Sequence, residues 1–526
     1  MTEQTNISQL SAQDAQFLYI QSATNLTHVM AVYIYDPSTA PGGKVRFKDI
    51  IEHMRKRLDV SPMFKRKLYR LPLDIDHPYW VDDEHFDLEA HISHSRLPEP
   101  GDWRQFCIHV ARHHSKPLDM TRPLWDMYVV EGLDNIPGYA KGSYAILTRI
   151  HHSTIDGVSG AHFFAAISDK DVQGTPAIPL PAGQSANNKL PTVSEILSRA
   201  VNSTVTSPVK LTQALLKFTP ALLSTAQKSL KGGDEETDTG VPQTRFNGPV
   251  TPNKMFDAVT FDLEELKKMR LKVSDATIND VVLAICSGAL RHYLNKHKEL
   301  PKESLVAVAP VNARSRSGDE ANPGNNISAM TIKIWSNIAD PVKRLEAIKD
   351  TTRETKAAKS GLSARIMTDL TKHIPGVTMA GVARILTDER FAPKMSNLMV
   401  SNVPGPQIQL YMNGAKLTHQ YGLAPLAHGM GLFIATPSYN GTISFSIISD
   451  RKMMPDIEFF RECLQRAFDE LKNAKPSADA GRTKKAATVS KKPVTPQDGS
   501  VMYRRVTKKP RATGLKAIGE NKPKVK

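Results

Sequence analysis

Residues 151–157 read His-His-Ser-Thr-Ile-Asp-Gly and stand where an apolar strand pattern gives way to a helical one. Histidine is the side chain whose ordinary pKa lies nearest neutrality, so it can both accept and release a proton at pH 7. The preceding residues 144–150 (YAILTRI) predict a strand, and successive side chains of a strand point to opposite faces. We therefore expect His151 and His152 to point in different directions, with only one of them entering a given cavity.

The end of this motif predicts a tight turn before a helix. Asp156 is placed to fold back onto the loop or onto an imidazole, and Gly157 tolerates backbone angles that other residues avoid. We expect the helix to begin near Ser159 and to run through residues 163–167. A second His-His pair, at residues 113–114, has four spacers before its acid, a proline in the loop and no following glycine. We interpret that pair as a helix end and a turn, without a site.

Length and cysteine content limit the class of protein. The 526 residues are 40% hydrophobic, enough for two sizeable cores, and chains of this length usually divide into domains. The three cysteines, Cys107, Cys286 and Cys463, are widely spaced and form no metal-binding pattern, which favours a reduced, cytoplasmic protein. The polar N-terminus predicts no signal peptide, and no apolar run reaches the roughly 18 residues of a membrane span.

The net charge of +16 is concentrated in a tail. Residues 476–526 hold 14 Lys/Arg and 3 Asp/Glu, a balance of +11, so the first 475 residues carry only +5. The tail has few large apolar residues, which predicts disorder. It is interpreted either as a solubilising tail or as a segment attracted to anionic lipid head groups, at roughly 1 kcal/mol per basic residue. Its single aromatic residue, Tyr503, argues against nucleic-acid binding.

The pattern along the chain predicts an α/β fold in four regions. These are an N-terminal domain (1–170), a partly helical crossover (171–245), a C-terminal domain (246–475) and the basic tail (476–526). The C-terminal domain is predicted to contain a helix over 278–294, strands over 305–309 and 398–401, a helix starting at Asp340-Pro341, a hairpin at 439–441 and a final helix over 457–471. Two α/β halves joined by a crossover suggest a pseudo-twofold pair with a cleft between them.

Several segments together resemble one known family. The motif at 151–157 resembles the His-His-x-x-x-Asp-Gly signature of the chloramphenicol-acetyltransferase-like, CoA-dependent acyltransferase superfamily. Within it, the chain resembles the bacterial wax ester synthase/acyl-CoA:diacylglycerol acyltransferase family. The other matching segments occur in the family's order: residues 10–18 (LSAQDAQFL), 117–125 (PLDMTRPLW), 279–284 (NDVVLA), 401–406 (SNVPGP) and 448–451 (ISDR).

This resemblance implies a fold and a reaction. The fold would have two chloramphenicol-acetyltransferase-like domains, each a mixed sheet with flanking helices, and an active-site channel at their interface. In the reaction an alcohol attacks the thioester of acyl-CoA and yields an ester and free CoA. The alcohol would be a long-chain fatty alcohol, giving a wax ester, or a diacylglycerol, giving triacylglycerol. Acyl-CoA serves as a substrate, and no resident cofactor or metal is expected.

The resemblance also assigns roles to the motif. His152 would be the general base, because the family's pattern gives the second histidine that task. Such a base contributes about 10²–10⁴-fold. His151 would hold the loop, and Asp156 would be a scaffold residue paired with a buried arginine, with Gly157 at the turn.

Other candidate residues lie outside the motif. Asn279, at a helix start, is a candidate donor to the oxyanion, or equally a helix-start residue. The segment Pro123-Leu124-Trp125 is expected to pack beside the channel and contact substrate. Arg314 and Arg316, after a strand, are candidates for the CoA phosphates. No Gly-x-Ser-x-Gly elbow occurs in the sequence, so we expect direct transfer without a covalent intermediate.

Three alternatives remain from the sequence. His151 and Asp156 also fit the His-x4-Asp pattern of glycerophospholipid acyltransferases, although a downstream Phe-Pro-Glu-Gly-type segment is missing. A peptide-synthetase condensation domain shares the histidine motif but normally adjoins carrier domains. A non-catalytic coat or scaffold of lipid inclusions is the third alternative. Because both expected acceptors dissolve in lipid and residues 363–391 are amphipathic, we expect peripheral association with the inner face of the membrane or with lipid inclusions.

Overall fold

The computed structural model describes residues 8–70, 77–154, 163–164, 167–178, 240–312, 327–358 and 396–478. These residues belong to one compact unit spanning Met1–Ala480. Some expectations from the sequence lie outside these ranges. They concern the helix start near Ser159 and the amphipathic residues 363–391. The crossover and the basic tail lie largely outside them as well.

The first sheet carries the histidine motif. In the described part of the chain it has six strands: β2 (His28–Asp36), β5 (Ile92–Arg96), β6 (Trp125–Glu131), β7 (Tyr144–His151), β12 (Tyr411–Met412) and β13 (Ala415–Leu423). They lie in the order β12-β13-β2-β7-β6-β5. Every residue of β7 is buried, because β7 is a central strand and both faces of the sheet are covered.

The second sheet is built from the later half of the chain. Its described strands are β8 (Lys254–Asp262), β9 (Val306–Asn312), β10 (Ile327–Lys333), β11 (Leu398–Pro404), β14 (Leu432–Tyr439) and β15 (Thr442–Asp450). They lie in the order β10-β9-β11-β14-β15-β8. The pairs β9–β11 and β11–β14 are parallel and the others antiparallel, so the sheet is mixed. A small sheet of β1 (Ser8–Gln9), β4 (Tyr79–Asp82) and β3 (Arg66–Tyr69) completes the described β-structure.

A strand from the later half of the chain belongs to the first sheet. β13 belongs by sequence to the later half of the chain, yet it pairs along its length with β2 of the first sheet, from Lys416 opposite Asp36 to Leu423 opposite Met30. The sequence pattern did not predict this crossing, because a strand's periodicity shows which of its faces is buried but not which neighbour it pairs with.

Seven α-helices lie within the described residues. They are α1 (Ala12–Tyr19), α2 (Phe47–Arg55), α3 (Trp103–His114), α4 (Leu263–Arg270), α5 (Ile278–Lys296), α6 (Pro341–Ala358) and α7 (Ile457–Asn473). α3 packs on the first sheet and also contacts β8 of the second sheet, and residues of both sheets and of α3 share one hydrophobic core. None of the described helices combines the length and apolarity needed to cross a bilayer.

Local patterns placed several of these elements correctly. The strand before His151, the helix over α5, the hairpin at residues 439–441 and the final helix are confirmed. Asp340 caps α6, since its Oδ1 accepts from the backbone N–H groups of Val342 and Lys343. The pair at residues 113–114 ends α3, as expected. The predicted α/β class with two mixed sheets and flanking helices is confirmed. The boundaries of the four predicted regions stay a prediction.

Candidate active site

The end of β7 delivers the two histidines to different surroundings. β7 pairs with β2 so that His151 lies opposite His28, and the His151 N–H donates to the Leu124 carbonyl at 2.9 Å. The chain then turns into a short 3₁₀ helix over His152–Thr154, whose first N–H donates to the Thr27 carbonyl at 2.9 Å. These two backbone bonds fix the turn at which one histidine becomes buried and the next remains partly exposed.

His151 is a structural residue. Its side chain is fully buried, and its Nδ1 accepts from the Ser153 N–H at 3.2 Å. Its Nε2 lies 2.8 Å from Gln21 Oε1, so we assign the proton to Nε2, which donates to that amide oxygen. Burial lowers the pKa of His151 to about 3, with smaller effects from His28 and His152. Both ring nitrogens are therefore used, and the ring stays neutral.

His152 lies in different surroundings from His151. Its imidazole is stacked on the ring of Phe17, with centroids 3.9 Å apart and planes 18° apart. The residue is partly exposed, and desolvation lowers its pKa to about 4. The ring is therefore unprotonated at pH 7 and able to accept a proton.

Helix α1 and the segment after it hold both histidines. Ser11 caps α1 by accepting from the Asp14 N–H at 3.1 Å. The Thr27 hydroxyl donates to the Phe17 carbonyl at 2.8 Å and lies 2.9 Å from Nε2 of His151. Sequence reasoning did not single out Phe17, Gln21 or Thr27 as site residues. For Phe17 the only signal was that residues 10–18 form one of the segments resembling the family, and Gln21 and Thr27 lie outside that segment.

The C-terminal end of α3 forms hydrogen bonds with β2 and with β7. The His28 Nε2–H donates a hydrogen bond to the His114 carbonyl at 2.8 Å. Arg149 on β7 donates from Nε to Asp126 at 2.9 Å and from a terminal nitrogen to the His113 carbonyl at 2.9 Å. Hydrogen bonds with Arg149 and His113 lower the pKa of Asp126 to about 2, against its burial. The buried arginine nearest the motif in sequence thus already has a carboxylate partner.

A cavity of about 1070 Å³ lies between α3 and β8. It extends along α3 from Asp102 to Lys116 and is bounded opposite by the first residues of β8. His152 is not among its lining residues. The two are linked through residues 20–27: the Lys254 ammonium at the cavity donates to the Thr24 carbonyl at 3.3 Å, and the Thr27 carbonyl accepts from His152 N–H. The cavity therefore ends one segment away from the histidine motif.

The predicted substrate-contacting residues are buried. Pro123, Leu124 and Trp125 all lie in the interior, and the Trp125 indole N–H donates to the Phe64 carbonyl at 3.0 Å. Their link to the site is through the backbone, by way of the Leu124 carbonyl that receives the His151 N–H. Contact with substrate by these residues stays a prediction.

Of the remaining predicted site residues, the structure describes only Asn279. Asn279 lies in the first turn of α5, is half-buried and has no hydrogen bond within the described residues, while Thr277 and Asp280 cap the helix reciprocally. Its role as an oxyanion donor stays a prediction. Asp156, Gly157, Arg314 and Arg316 lie outside the described residues. Cys286 is fully buried in α5.

Comparison with known proteins shows the family. Residues 10–282 match the wax ester synthase/diacylglycerol acyltransferase catalytic domain, and residues 323–472 match the C-terminal domain of that family. The chain belongs to the wax ester synthase/diacylglycerol acyltransferase family. This confirms the resemblance found in the sequence motifs.

Two relatives similar to this chain are named as O-acyltransferases. A putative diacylglycerol O-acyltransferase of Mycobacterium tuberculosis is 32% identical over 474 residues, which cover 88% of this chain and 90% of the relative. The O-acyltransferase WSD of Acinetobacter baylyi is 28% identical over 452 residues, which cover 85% of this chain and 93% of the relative.

Solved structures support the fold of the family member. The wax ester synthase/diacylglycerol acyltransferase from Marinobacter aquaeolei superimposes with a TM-score of 0.62 at 24% identity, covering 88% of this chain and 99% of that one. A trichothecene 15-O-acetyltransferase from Fusarium sporotrichioides superimposes with a TM-score of 0.54 at 12% identity, covering 88% and 95%. At these identities the likeness shows a shared fold.

Proposed function

We propose that this protein transfers a long-chain acyl group from acyl-CoA to the hydroxyl of a fatty alcohol, of a diacylglycerol, or of both. His152 acts as the general base. The observation that carries the proposal is the state of that ring: a partly exposed imidazole, unprotonated at pH 7, at the position where the family's motif has its second histidine. The relatives named as diacylglycerol O-acyltransferase and as O-acyltransferase support the reaction class.

The hydrogen bonds of the neighbouring His151 support the choice of His152 as the base. Because both nitrogens of His151 are hydrogen-bonded, that ring has no free position for a substrate proton. An alcohol is a weak nucleophile while it keeps its proton, and a neutral imidazole removes that proton as the new C–O bond forms. His152 takes the hydroxyl proton, the alcohol oxygen bonds to the thioester carbonyl carbon, and the C–S bond breaks. The departing sulfur receives the proton, which leaves an ester and CoA thiol.

Direct transfer between the two substrates requires both in the site together. Cys107, Cys286 and Cys463 are buried, and burial raises the pKa of each thiol, so none of them is a suitable nucleophile for a covalent intermediate. The sequence has no serine elbow of the Gly-x-Ser-x-Gly type either. We therefore propose one-step transfer.

The test is a product assay with two acceptors. Purified protein receives radiolabelled palmitoyl-CoA with hexadecanol or with dioleoylglycerol in separate reactions, and the lipid products are separated and counted. We expect labelled wax ester, labelled triacylglycerol or both. His152→Ala should lower kcat at least about 10²-fold while the circular dichroism spectrum and Tm stay near those of the unchanged protein.

A matched control separates the loss of the proposed base from the general effect of removing a histidine from this sheet. His94 lies on β5 at the edge of the same sheet, exposed, with its Nε2 3.2 Å from Glu131 Oε1. His94→Ala should keep most of the activity. Full activity of His152→Ala would reject His152 as the base, whereas absence of any labelled ester from the unchanged protein would reject the reaction itself.

We further propose that the enzyme works at the surface of the membrane or of lipid inclusions on the cytoplasmic side, because both acceptors partition into lipid. Flotation with vesicles containing phosphatidylglycerol, with the full chain and with a chain ending at Lys475, measures this association. Loss of binding on truncation would assign the contact to the basic tail. Equal binding would assign it to the body of the enzyme, and absence of binding by both would reject the proposal.

A further inference from the structure

The loop over residues 424–431 leaves the first sheet and enters the second. β13 ends at Leu423, opposite Met30 of β2, and β14 of the second sheet begins at Leu432. Because β13 and β2 are antiparallel, the chain beyond Leu423 passes the start of β2. Residues 20–27, which precede β2 and contact the histidine motif, therefore lie beside this loop.

A tight turn fixes the backbone of this loop. The Met430 N–H donates to the Ala427 carbonyl at 2.9 Å and closes a β-turn whose third residue, Gly429, has a φ of 81°. A positive φ at that position is typical of a type II turn and favours glycine. The Gly429 N–H donates to the Gly248 carbonyl at 3.0 Å, which anchors the turn on the segment before β8. His428 is the second residue of this turn, so its backbone position is set.

The His428 imidazole joins two distant parts of the chain through its two ring nitrogens. Its Nδ1 accepts from the Val250 N–H at 3.1 Å, so we assign the proton to Nε2. Nε2 lies 3.3 Å from the Thr24 hydroxyl oxygen and donates to it. Val250 belongs to the segment before β8, whereas Thr24 lies between α1 and β2. A side chain 404 positions later in the chain therefore contacts the segment beside the histidine motif.

Thr24 lies in a small loop that is closed by its own hydrogen bonds. The Ser22 N–H donates to the Asn25 carbonyl at 3.0 Å, and the Asn25 N–H donates to the Ser22 hydroxyl at 3.1 Å. Asn25 is buried, and its side-chain amide donates to the Ile20 carbonyl at 3.2 Å. The Thr24 hydroxyl lies 3.2 Å from that of Ser22. Because the loop is braced internally, a displacement of Thr24 moves the loop as a unit.

Both ends of this small loop reach the histidine motif. At the end nearer α1, Gln21 Oε1 accepts from Nε2 of His151 at 2.8 Å. At the end nearer β2, the Thr27 carbonyl accepts from the His152 N–H at 2.9 Å. The path from His428 to the turn that presents His152 therefore consists of hydrogen bonds and short stretches of backbone.

A second side chain from the later half of the chain holds the same residue. The Lys254 ammonium, on β8, donates to the Thr24 carbonyl at 3.3 Å and to the Thr251 carbonyl at 2.6 Å. Thr24 is thus held at its backbone by one residue and at its hydroxyl by another. Loss of one of these contacts should loosen the segment without releasing it.

We propose that His428 is a positioning residue for acyl transfer: by holding Thr24 it fixes, from the region that matches the family's C-terminal domain, the turn that presents His152. This inference rests on the proposed function, since it concerns the base of that reaction. A base must lie within hydrogen-bond distance of the hydroxyl, and a misplacement of about 1 Å can cost about 10²-fold in rate. One hydrogen bond limits part of that displacement, so its loss has a smaller effect.

Two substitutions separate the two contacts of the ring. The amide nitrogen of glutamine lies near the place of Nε2, so His428→Gln keeps a donor for Thr24 and loses the acceptor for Val250. The amide oxygen of asparagine lies near the place of Nδ1, so His428→Asn keeps the acceptor and loses the donor. We expect His428→Asn to lower kcat about fivefold with the KM for palmitoyl-CoA within about twofold. His428→Gln should keep kcat within about twofold of the unchanged protein.

Thr24→Val removes the same hydrogen bond from its other side. It should lower kcat as His428→Asn does, and the double variant should be no slower than either single one, because both remove one contact. His292→Asn is the control, since His292 joins α5 to α7 through Glu470 at 3.0 Å, and its kcat should not change. A loss of kcat in His428→Gln or in the control equal to that in His428→Asn would overturn the inference.

NMR of protein labelled with ¹³C at the histidine Cε1 measures the same link without turnover. The His152 signal is the one that His152→Ala lacks. It should shift in His428→Asn and in Thr24→Val and keep its position in His428→Gln. A signal that stays in place in all three variants would overturn the inference, even in a protein that forms ester. A signal that shifts as expected in a protein that forms no ester would support the link to His152 and reject the proposed function.

Discussion

The ring of Phe17 lies flat against the imidazole of His152, with the two centroids 3.9 Å apart. Phe17 belongs to α1, whose start is capped by Ser11 and whose last turn is joined to Thr27 by a hydrogen bond. The proposed base is therefore oriented by a helix that lies 135 residues earlier in the chain.

Phe17→Leu should lower kcat about fivefold with little change in KM, because ring stacking stabilises an orientation by about 1 kcal/mol. Steady-state kinetics with palmitoyl-CoA check this. Phe47→Leu is the matched control, since Phe47 stacks on His94 in a similar way, at 4.8 Å and 14°, away from the motif. If both variants lose kcat equally, stacking on His152 has no special part in catalysis.

His151→Ala should destabilise the fold by about 1–3 kcal/mol, because it leaves Gln21 and the Ser153 N–H without their buried partner. Urea unfolding followed by circular dichroism measures the change. Activity should fall as well, since the turn that presents His152 is loosened. A variant with unchanged stability would show that this hydrogen-bond network does not support the fold.

Stability should decrease as the pH falls from about 6.5 towards 4. Burial lowers the pKa of His28, His53 and His152 to about 4 and that of His151 to about 3. Below pH 6.5 the unfolded chain binds protons that the folded protein does not, so the free energy of unfolding falls by up to about 1.4 kcal/mol per pH unit for each such histidine. The raised pKa of Asp169, about 6, acts in the opposite direction but is a single group.

Scanning calorimetry at pH 7.5 and pH 5.5 checks this pH dependence through the difference in Tm. His28→Gln is the informative variant, because a glutamine N–H can still donate to the His114 carbonyl but does not titrate. We expect the Tm difference to be smaller in this variant. A Tm that rises on acidification would contradict the prediction.

Asp169→Asn should destabilise the protein by about 3–5 kcal/mol, because the buried Arg57 loses the carboxylate charge that it binds. Asp169 also accepts from the Asn413 N–H at 3.3 Å and so joins the first half of the chain to the β12–β13 hairpin. Denaturant unfolding measures the loss. Asp49→Asn, in the exposed pair with Arg46, is the control and should change stability by less than about 1 kcal/mol.

The elements with strong local patterns were predictable. The cap at Asp340, the hairpin around Asn440 and the apolar face of α7 each depend on residues within one or two turns of each other. The histidine motif was likewise predictable as a candidate site, and the expectation that its two rings point to different surroundings agrees with a buried His151 and a partly exposed His152.

The contacts around the motif were not predictable from pattern. Phe17 on His152 and Gln21 on His151 join residues more than 120 positions apart, and neither contact has a local signal. Arg314 and Arg316 were chosen as candidates for the CoA phosphates because they follow a strand, and that position along the chain does not say what the side chains contact.

The sequence by itself determined the family, the alternation of faces along β7 and the position of the proton-accepting motif, because these depend on residue type and on spacing along one element. Only the tertiary structure decided which histidine is held by hydrogen bonds at both ring nitrogens and which helix contacts the other one. Those features arise from pairing and packing between distant segments. They are governed by how apolar faces and backbone hydrogen bonds are satisfied together, which no single stretch of the chain encodes.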